Sequence, residues 1–200
     1  MNASMAKKIG FFGGTFDPIH FGHLNLAIRI KEMHGLDQVL FCPAHVSPTK
    51  GDAPPVAAAN HRLNMLQLAL EDVPGCDPCN GEISRPPPSY TIDTVREIGG
   101  ELFLIVAEDT AYGFGEWKEI DALLELAPPL VGVRHGFDPK RLEQLPEKIK
   151  LKVEAGRCEI PAMDVSSTEV RERLKKRLYV GHLIPGKVLD YIHQNTIYSP

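Results

Sequence analysis

No stretch of this 200-residue chain approaches the roughly 20 consecutive apolar residues of a membrane-spanning helix. Its opening, Met1 to Lys8, is polar and lacks the apolar core of a secretory leader. A basic excess is also absent. Against 22 Lys and Arg stand 26 Asp and Glu, a formal net charge of −4, which argues against a protein that coats nucleic acid. A few local basic groups would still suffice to hold a small phosphorylated ligand. Cysteine is scarce, with four residues: Cys42, Cys76, Cys79 and Cys158. Cys76 and Cys79 have C-x-x-C spacing, but no second C-x-x-C or H-x-x-x-H pair completes a tetrahedral zinc site. They fall in a Pro/Gly-rich stretch, away from the strand-to-helix turn of a redox motif, and read as loop cysteines. G-x-G-x-x-G and G-K-[S/T] are both missing, which removes the dinucleotide fingerprint and the Walker loop. The expected setting is a reducing cytoplasm, with no membrane and no nucleic-acid partner.

What is present suits one α/β domain over residues 1–200, large enough to bury well over half of its unfolded surface. Lys8 to Phe12 reads as a buried strand ending at Gly13-Gly14. Helical spacing of Leu24, Ala27, Ile28 and Met33 predicts a helix from Gly22 to His34, stopped by Gly35. Gln38 to Cys42 is a second strand, and the proline-rich segment 43–55 a loop. Further helices are expected over 57–70, 90–98, 116–126, 167–177 and 187–193. Further strands are expected over 102–107, 130–133 and 158–160. Residues 75–88 read as irregular, and 136–152 carry no clear pattern. Strands alternating with helices imply a Rossmann-like, doubly wound, mostly parallel sheet with helices on both faces. Ligands of such sheets bind beyond the carboxyl ends of the strands.

Just there, after the first strand, stands Gly13-Gly14-Thr15-Phe16-Asp17-Pro18-Ile19-His20-Phe21-Gly22-His23-Leu24. Paired glycines let a backbone approach an anion closely. His20 and His23, three apart at a helix start, can present their rings on one face, with Gly22 leaving space between them for a ligand. The helix N-terminus adds positive potential. A metal pair is the alternative for H-x-x-H, but no ligand-rich segment stands out to complete such a site. A second anion site follows the final strand. In Val165-Ser166-Ser167-Thr168-Glu169-Val170-Arg171, Ser166 and Glu169 form a capping-box pattern. Capping alone does not explain three successive hydroxyls with Arg171 one turn further on; together they offer hydroxyls, backbone N–H groups and a guanidinium to one anion.

His20-Phe21-Gly22-His23 resembles the H-x-G-H signature of the nucleotidyltransferase superfamily, and residues 165–171 resemble its I-S-S-T-x-I-R signature, with Val165 and Val170 as conservative departures. The longer string from Gly13 to Leu24 resembles that of bacterial nicotinate-nucleotide adenylyltransferases. The resemblance implies adenylyl transfer from ATP to nicotinate mononucleotide, giving deamido-NAD and pyrophosphate in NAD biosynthesis. It assigns ATP to Gly13, Gly14, Thr15, Phe16, His20, Gly22, His23, Asp109, Ser166, Ser167, Thr168 and Arg171, with His20, His23 and Arg171 as the catalytic group. Mg²⁺ would accompany the phosphates, without a dedicated protein cage.

For the acceptor, Ser89-Tyr90-Thr91-Ile92-Asp93-Thr94 could simply start a helix, but is similar to the family segment S-Y-T-x-D-T, whose backbone donors meet the pyridine carboxylate. The lone tryptophan, Trp117, would by itself be read as core; the resemblance places it on the pyridine ring, a use that suits an aromatic face. Lys50, Arg62 and Arg134 also fall at family positions, Lys50 and Arg134 near the acceptor. Asp109 ends a segment, Ala107-Glu108-Asp109, that departs from the family's G-x-D; Ala107 adds a methyl where close backbone approach is expected. The C-terminal stretch from Leu183 through Tyr198 matches the family tail. Rival readings are a nicotinamide-mononucleotide or pantetheine-phosphate adenylyltransferase, and a nucleotide sensor without turnover. The sequence leaves the oligomeric state open, a homo-oligomer included.

Overall fold

A computed structural model of the chain describes residues 6–46, 54–134 and 138–199. Six strands, β1 (Lys8–Gly14), β2 (Gln38–Pro43), β3 (Cys76–Pro78), β4 (Glu101–Ala107), β5 (Pro129–Val133) and β6 (Arg157–Glu159), form one parallel sheet in the order β3-β2-β1-β4-β5-β6. Eight helices accompany them among the described residues: α1 (Phe21–His34), α2 (Ala59–Leu70), α3 (Thr91–Val95), α4 (Glu108–Ala111), α5 (Ile120–Leu126), α6 (Glu147–Ala155), α7 (Ser167–Lys175) and α8 (Gly186–Gln194). The α/β class and the doubly wound parallel sheet are those expected from the alternation of strands and helices. None of these helices is long and apolar enough to cross a membrane. The strand order runs outward from β1 in both directions, so the reversal point lies at β1, whose carboxyl end is Gly13-Gly14. A ligand of this class of sheet is expected there.

The chain divides into two compact units. The first comprises Met1–Gly13, Leu26–Leu40 and Tyr90–Ala162. Here β1, β4, β5 and β6 pair in parallel, with Lys8 opposite Glu101, Leu104 opposite Pro129 and Val131 opposite Arg157. β4 and β5 read as near-continuous apolar runs because helices leave little of them to water. Phe11, Leu104, Ile105 and Val131 are essentially inaccessible, as are Ala27 and Ile30 from α1. Gly132 on β5 is required by packing: a Cβ there would lie 2.1 Å from Leu26 Cδ1. The second unit comprises Gly14–Asn25, Phe41–Ser89 and Met163–Pro200. Its core includes Phe16, Phe41, Met65, Leu66, Ile184 and Val188, together with Arg62, a fully buried cation.

Several expectations need correction. The C-x-x-C segment is not all loop: Cys76–Pro78 is an edge strand, and Cys79 N–H donates to Phe41 O at 2.8 Å. Three residues give too short a run for periodicity to register. α5 begins at Ile120 rather than near 116, because Glu119 sits in the left-handed region (φ 49°) and interrupts the helix after a 3-10 turn at Phe114–Glu116. The patternless region after 136 contains α6, whose Ile149 and Val153, four residues apart, supply its buried side.

Candidate phosphate cradle and acceptor residues

Apart from Gly13, both expected phosphate motifs fall in the second unit, and the structure brings them together. The loop after β1 presents two consecutive carbonyls to α7. Arg171 Nη1 donates to Asp17 O at 2.6 Å, and Ser167 Oγ donates to Pro18 O at 2.8 Å. Arg171 Nη2 donates to Thr168 Oγ1 at 3.1 Å. Ser166 Oγ accepts from Glu169 N–H at 3.1 Å, so the N-cap reading of that serine holds beside the anion reading of its neighbours. Of the guanidinium's five donors, two are thus engaged with protein groups, and Arg171 remains half-buried.

His20 and His23 stack with ring centroids 3.6 Å apart, as their spacing at a helix start implies. His23 Nδ1 accepts the backbone N–H of His20 at 3.3 Å. A ring nitrogen that accepts carries no proton, so neutral His23 is the Nε2–H tautomer. Phe16, buried and left-handed (φ 47°), packs edge-on to His23 at 5.0 Å. A bulky non-glycine residue at positive φ persists only where its surroundings over-determine it. Thr15 Oγ1, a hydroxyl of the phosphate loop, is buried without a hydrogen-bond partner among the described residues.

The glycines serve packing more than the sequence suggested. A Cβ on Gly14 would lie 2.9 Å from the Phe16 ring, and one on Gly13 3.2 Å from the Phe11 ring. Space beside Gly22 is tight: Val165 Cγ1 would be 3.0 Å, and the His20 ring 3.1 Å, from its Cβ. Gly22 is small so that the two motifs can close on each other.

Beneath the cradle, Arg62 donates to four carbonyls: Thr15 O at 2.8 Å, Ala44 O at 2.6 Å, His45 O at 3.0 Å and Ala57 O at 3.1 Å. Burial pulls its pKa below the usual arginine value, and Asp17 opposes that shift. A guanidinium fits this task because its planar donors can satisfy several loop carbonyls at once. Arg62 therefore ties the phosphate loop to the β2 exit and the α2 entry, and is not offered to substrate.

The first unit holds the expected acceptor residues in two groups. Thr91 begins α3, and its Oγ1 is 3.9 Å from the position a Gly13 Cβ would take. The Tyr90 ring lies under Lys118 Nζ at 4.4 Å, and Lys118 also pairs with Asp93 at 3.3 Å. The half-buried Trp117 packs edge-on against Phe114 with centroids 5.1 Å apart. The second group gathers after β4 and β5, where Asp109 pairs with Arg134 at 3.6 Å and Arg141 at 3.5 Å. Arg141 also lies over the Tyr112 ring at 4.0 Å. Glu108 Oε2 is buried without a hydrogen-bond partner among the described residues, and burial, then the Asp109 charge, raises the Glu108 carboxyl above its ordinary pKa. Lys50 lies outside the described residues.

Comparison with known proteins gives the family. A family model described as cytidylyltransferase-like matches residues 11–173. The nicotinate-nucleotide adenylyltransferase of Bacillus subtilis is 36% identical, over 96% of this chain and 98% of its own. The chain belongs to the nicotinate-nucleotide adenylyltransferase family. A Methylacidiphilum infernorum member, named "Probable nicotinate-nucleotide adenylyltransferase", is 38% identical, over 96% of this chain and 93% of its own. Two structures of the Plasmodium falciparum nicotinic acid mononucleotide adenylyltransferase, complexed with APC and with NaAD, share the fold. Their TM-scores are 0.71 and 0.70 at 19% and 20% identity, covering 96% of this chain and 97% of theirs.

For a nicotinate-nucleotide adenylyltransferase, the sequence left three features unread. Asp17, inside the quoted motif, had no role assigned, although an acid in a phosphate loop invites one. Arg141 fell in the segment without a pattern. Tyr198 was matched to the family tail, yet nothing local could show that it reaches Asp17, 181 residues away.

Proposed function

We propose that this adenylyltransferase carries the adenylyl group of ATP to nicotinate mononucleotide through the side chains and backbone donors just described. An oxygen of the acceptor's phosphate attacks the α-phosphorus of ATP as the bond to the bridging α,β-oxygen breaks. Deamido-NAD forms and pyrophosphate departs. The attacking group is already anionic, so the chain needs no nucleophile of its own; its work is positioning and stabilising charge on the leaving group. His23 Nε2–H, the remaining donors of Arg171, Thr15 Oγ1, the Thr168 hydroxyl and the N-termini of α1 and α7 suit that charge. His20 and Ser167 complete the group. The observation that carries the reading is the joining of both motifs at two consecutive carbonyls, with Arg171 on Asp17 O and Ser167 on Pro18 O.

Magnesium enters with the triphosphate. Asp17, the carboxylate of the cradle, already accepts from Val56 N–H, Ala57 N–H and the Tyr198 hydroxyl. Among the described residues no group of three or more His, Cys, Asp or Glu is placed to hold a metal. Phosphate oxygens and water fit the ion better as ligands. On the acceptor side, Tyr90, Thr91 and Trp117 suit the pyridine acid, and Asp109 and Arg134 suit ribose and phosphate, with Lys50 assigned by resemblance alone. No disulfide joins any of the four cysteines, which suits the reducing cytoplasm where we place the enzyme.

Pyrophosphate release with ATP and Mg²⁺, in parallel with nicotinate mononucleotide, nicotinamide mononucleotide and phosphopantetheine, tests this reading. Strong preference for the acid is the expected result; preference for the amide would refute the role given to residues 89–94. His23→Ala is expected to lower kcat by orders of magnitude with Tm nearly unchanged, and an unchanged kcat would remove His23 from the mechanism.

A further inference from the structure

Asp17 is the most heavily shared acid of the second unit. Its carboxylate is 4% exposed. Oδ2 accepts Val56 N–H at 2.8 Å; Oδ1 accepts Ala57 N–H at 3.1 Å and the Tyr198 hydroxyl at 2.5 Å. Arg171 Nη1, besides its bond to Asp17 O, lies 4.0 Å from Oδ2. One residue therefore receives three separate segments: the entry to α2, the phosphate-binding helix α7 and the C-terminal tail.

The tail is built to make that contact. Tyr191 of α8 is tied to α2, its hydroxyl accepting from Asn64 Nδ2 at 2.8 Å and pairing with His61 Nδ1 at 2.9 Å. After α8 the chain turns back, with Ile197 N–H donating to Ile192 O at 3.0 Å. Thr196 and Tyr198 both adopt left-handed backbone, φ 55° and 61°. Neither has glycine's freedom, and such residues survive where other contacts hold them. The result is a tyrosine ring 5% exposed with its hydroxyl on a buried carboxylate. Burial, and then the Asp17 charge, pushes that hydroxyl above the ordinary tyrosine pKa, so it remains a donor. Nothing in the chemistry proposed above uses it.

We propose that Tyr198 is a positioning residue of the triphosphate cradle: through its hydrogen bond to Asp17 it fixes the Asp17-Pro18 peptide, whose carbonyl aims Arg171. The inference rests on the assignment of the triphosphate to this cradle. Tyr198 acts by way of Arg171, so its effect belongs to ATP and not to the acceptor, and it vanishes once Arg171 can no longer make its contacts.

Tyr198→Phe keeps the buried ring and removes only the donor. The test is a double-mutant cycle with Arg171→Lys, read as the Kd of a non-hydrolysable ATP analogue with Mg²⁺, and beside it the KM for nicotinate mononucleotide. Tyr198→Phe alone is expected to weaken the analogue about five- to tenfold, in the range of one ordinary lost hydrogen bond. In the Arg171→Lys background the same change is expected to cost less than twofold, with the acceptor KM within twofold throughout. Ile197→Ala, in the same tail but without a bond to Asp17, should lower Tm and leave the analogue's Kd within twofold. An equal loss in both backgrounds, an unchanged Kd for Tyr198→Phe, or an equal loss from Ile197→Ala would overturn the proposal while leaving the function standing. Failure of the wild-type chain to bind the analogue would overturn both.

Discussion

Gly22→Ala puts the junction of the two motifs under direct test. The added methyl would meet Val165 Cγ1 at 3.0 Å and the His20 ring at 3.1 Å, against the 3.4 Å where ordinary contact begins. Either neighbour must move by a few tenths of an ångström. Overpacking a well-filled site costs about 1–3 kcal/mol, while alanine in a helix recovers roughly 0.5–1 kcal/mol over glycine. The balance is a loss of about 1.5 kcal/mol, or roughly 3–6 °C in Tm for a chain of this size. Activity should suffer more than stability. A 1 Å misplacement can cost on the order of 100-fold, so a displacement of a few tenths at His20 should lower kcat/KM about tenfold. Thermal unfolding and pyrophosphate release read the two effects separately. Adding Val165→Ala removes one of the two contacts, and the double variant should regain stability without regaining activity, because the His20 contact remains. A Gly22→Ala enzyme with raised Tm and full activity would refute the claim that this glycine exists to let the motifs close.

Two further outcomes follow from buried charges. Arg62→Met fills much of the same volume but leaves four carbonyls without their donor, and a loss of about 3–5 kcal/mol is expected; a urea midpoint within error of the parent would contradict the bracing role of Arg62. Glu108 has a folded pKa above its ordinary value of 4.5, so it favours folding below about pH 4.5 and that contribution is lost as pH rises through the folded value. Glu108→Gln should therefore raise Tm by roughly 2–4 °C at pH 8, about 1 kcal/mol, with the gain shrinking towards pH 4; a gain independent of pH would show that the buried charge is not the cause.

How much was legible in the sequence depended on the range of the signal. β1, α1, β4 and β5 announce themselves because apolar periodicity is a local property, and each lies close to its expected bounds. The phosphate motifs were legible because each packs its chemistry into a few consecutive residues. β3, α4 and α6 were not. A three-residue strand and a four-residue helix are too short to show a period, and α6 buries only Ile149 and Val153.

The sequence by itself determined the alternation that makes a parallel α/β sheet, the placement of two donor-rich segments after strands, and the family to which they belong. Tertiary structure decided what those segments do to each other. That Gly22 accommodates Val165, that Arg62 braces four carbonyls, and that Tyr198 ends on Asp17 are contacts between residues from 5 to 181 positions apart. Most of them span segments that no local pattern links. A residue type states which bonds a side chain can form; only the folded backbone states which partners come within about 3 Å of it.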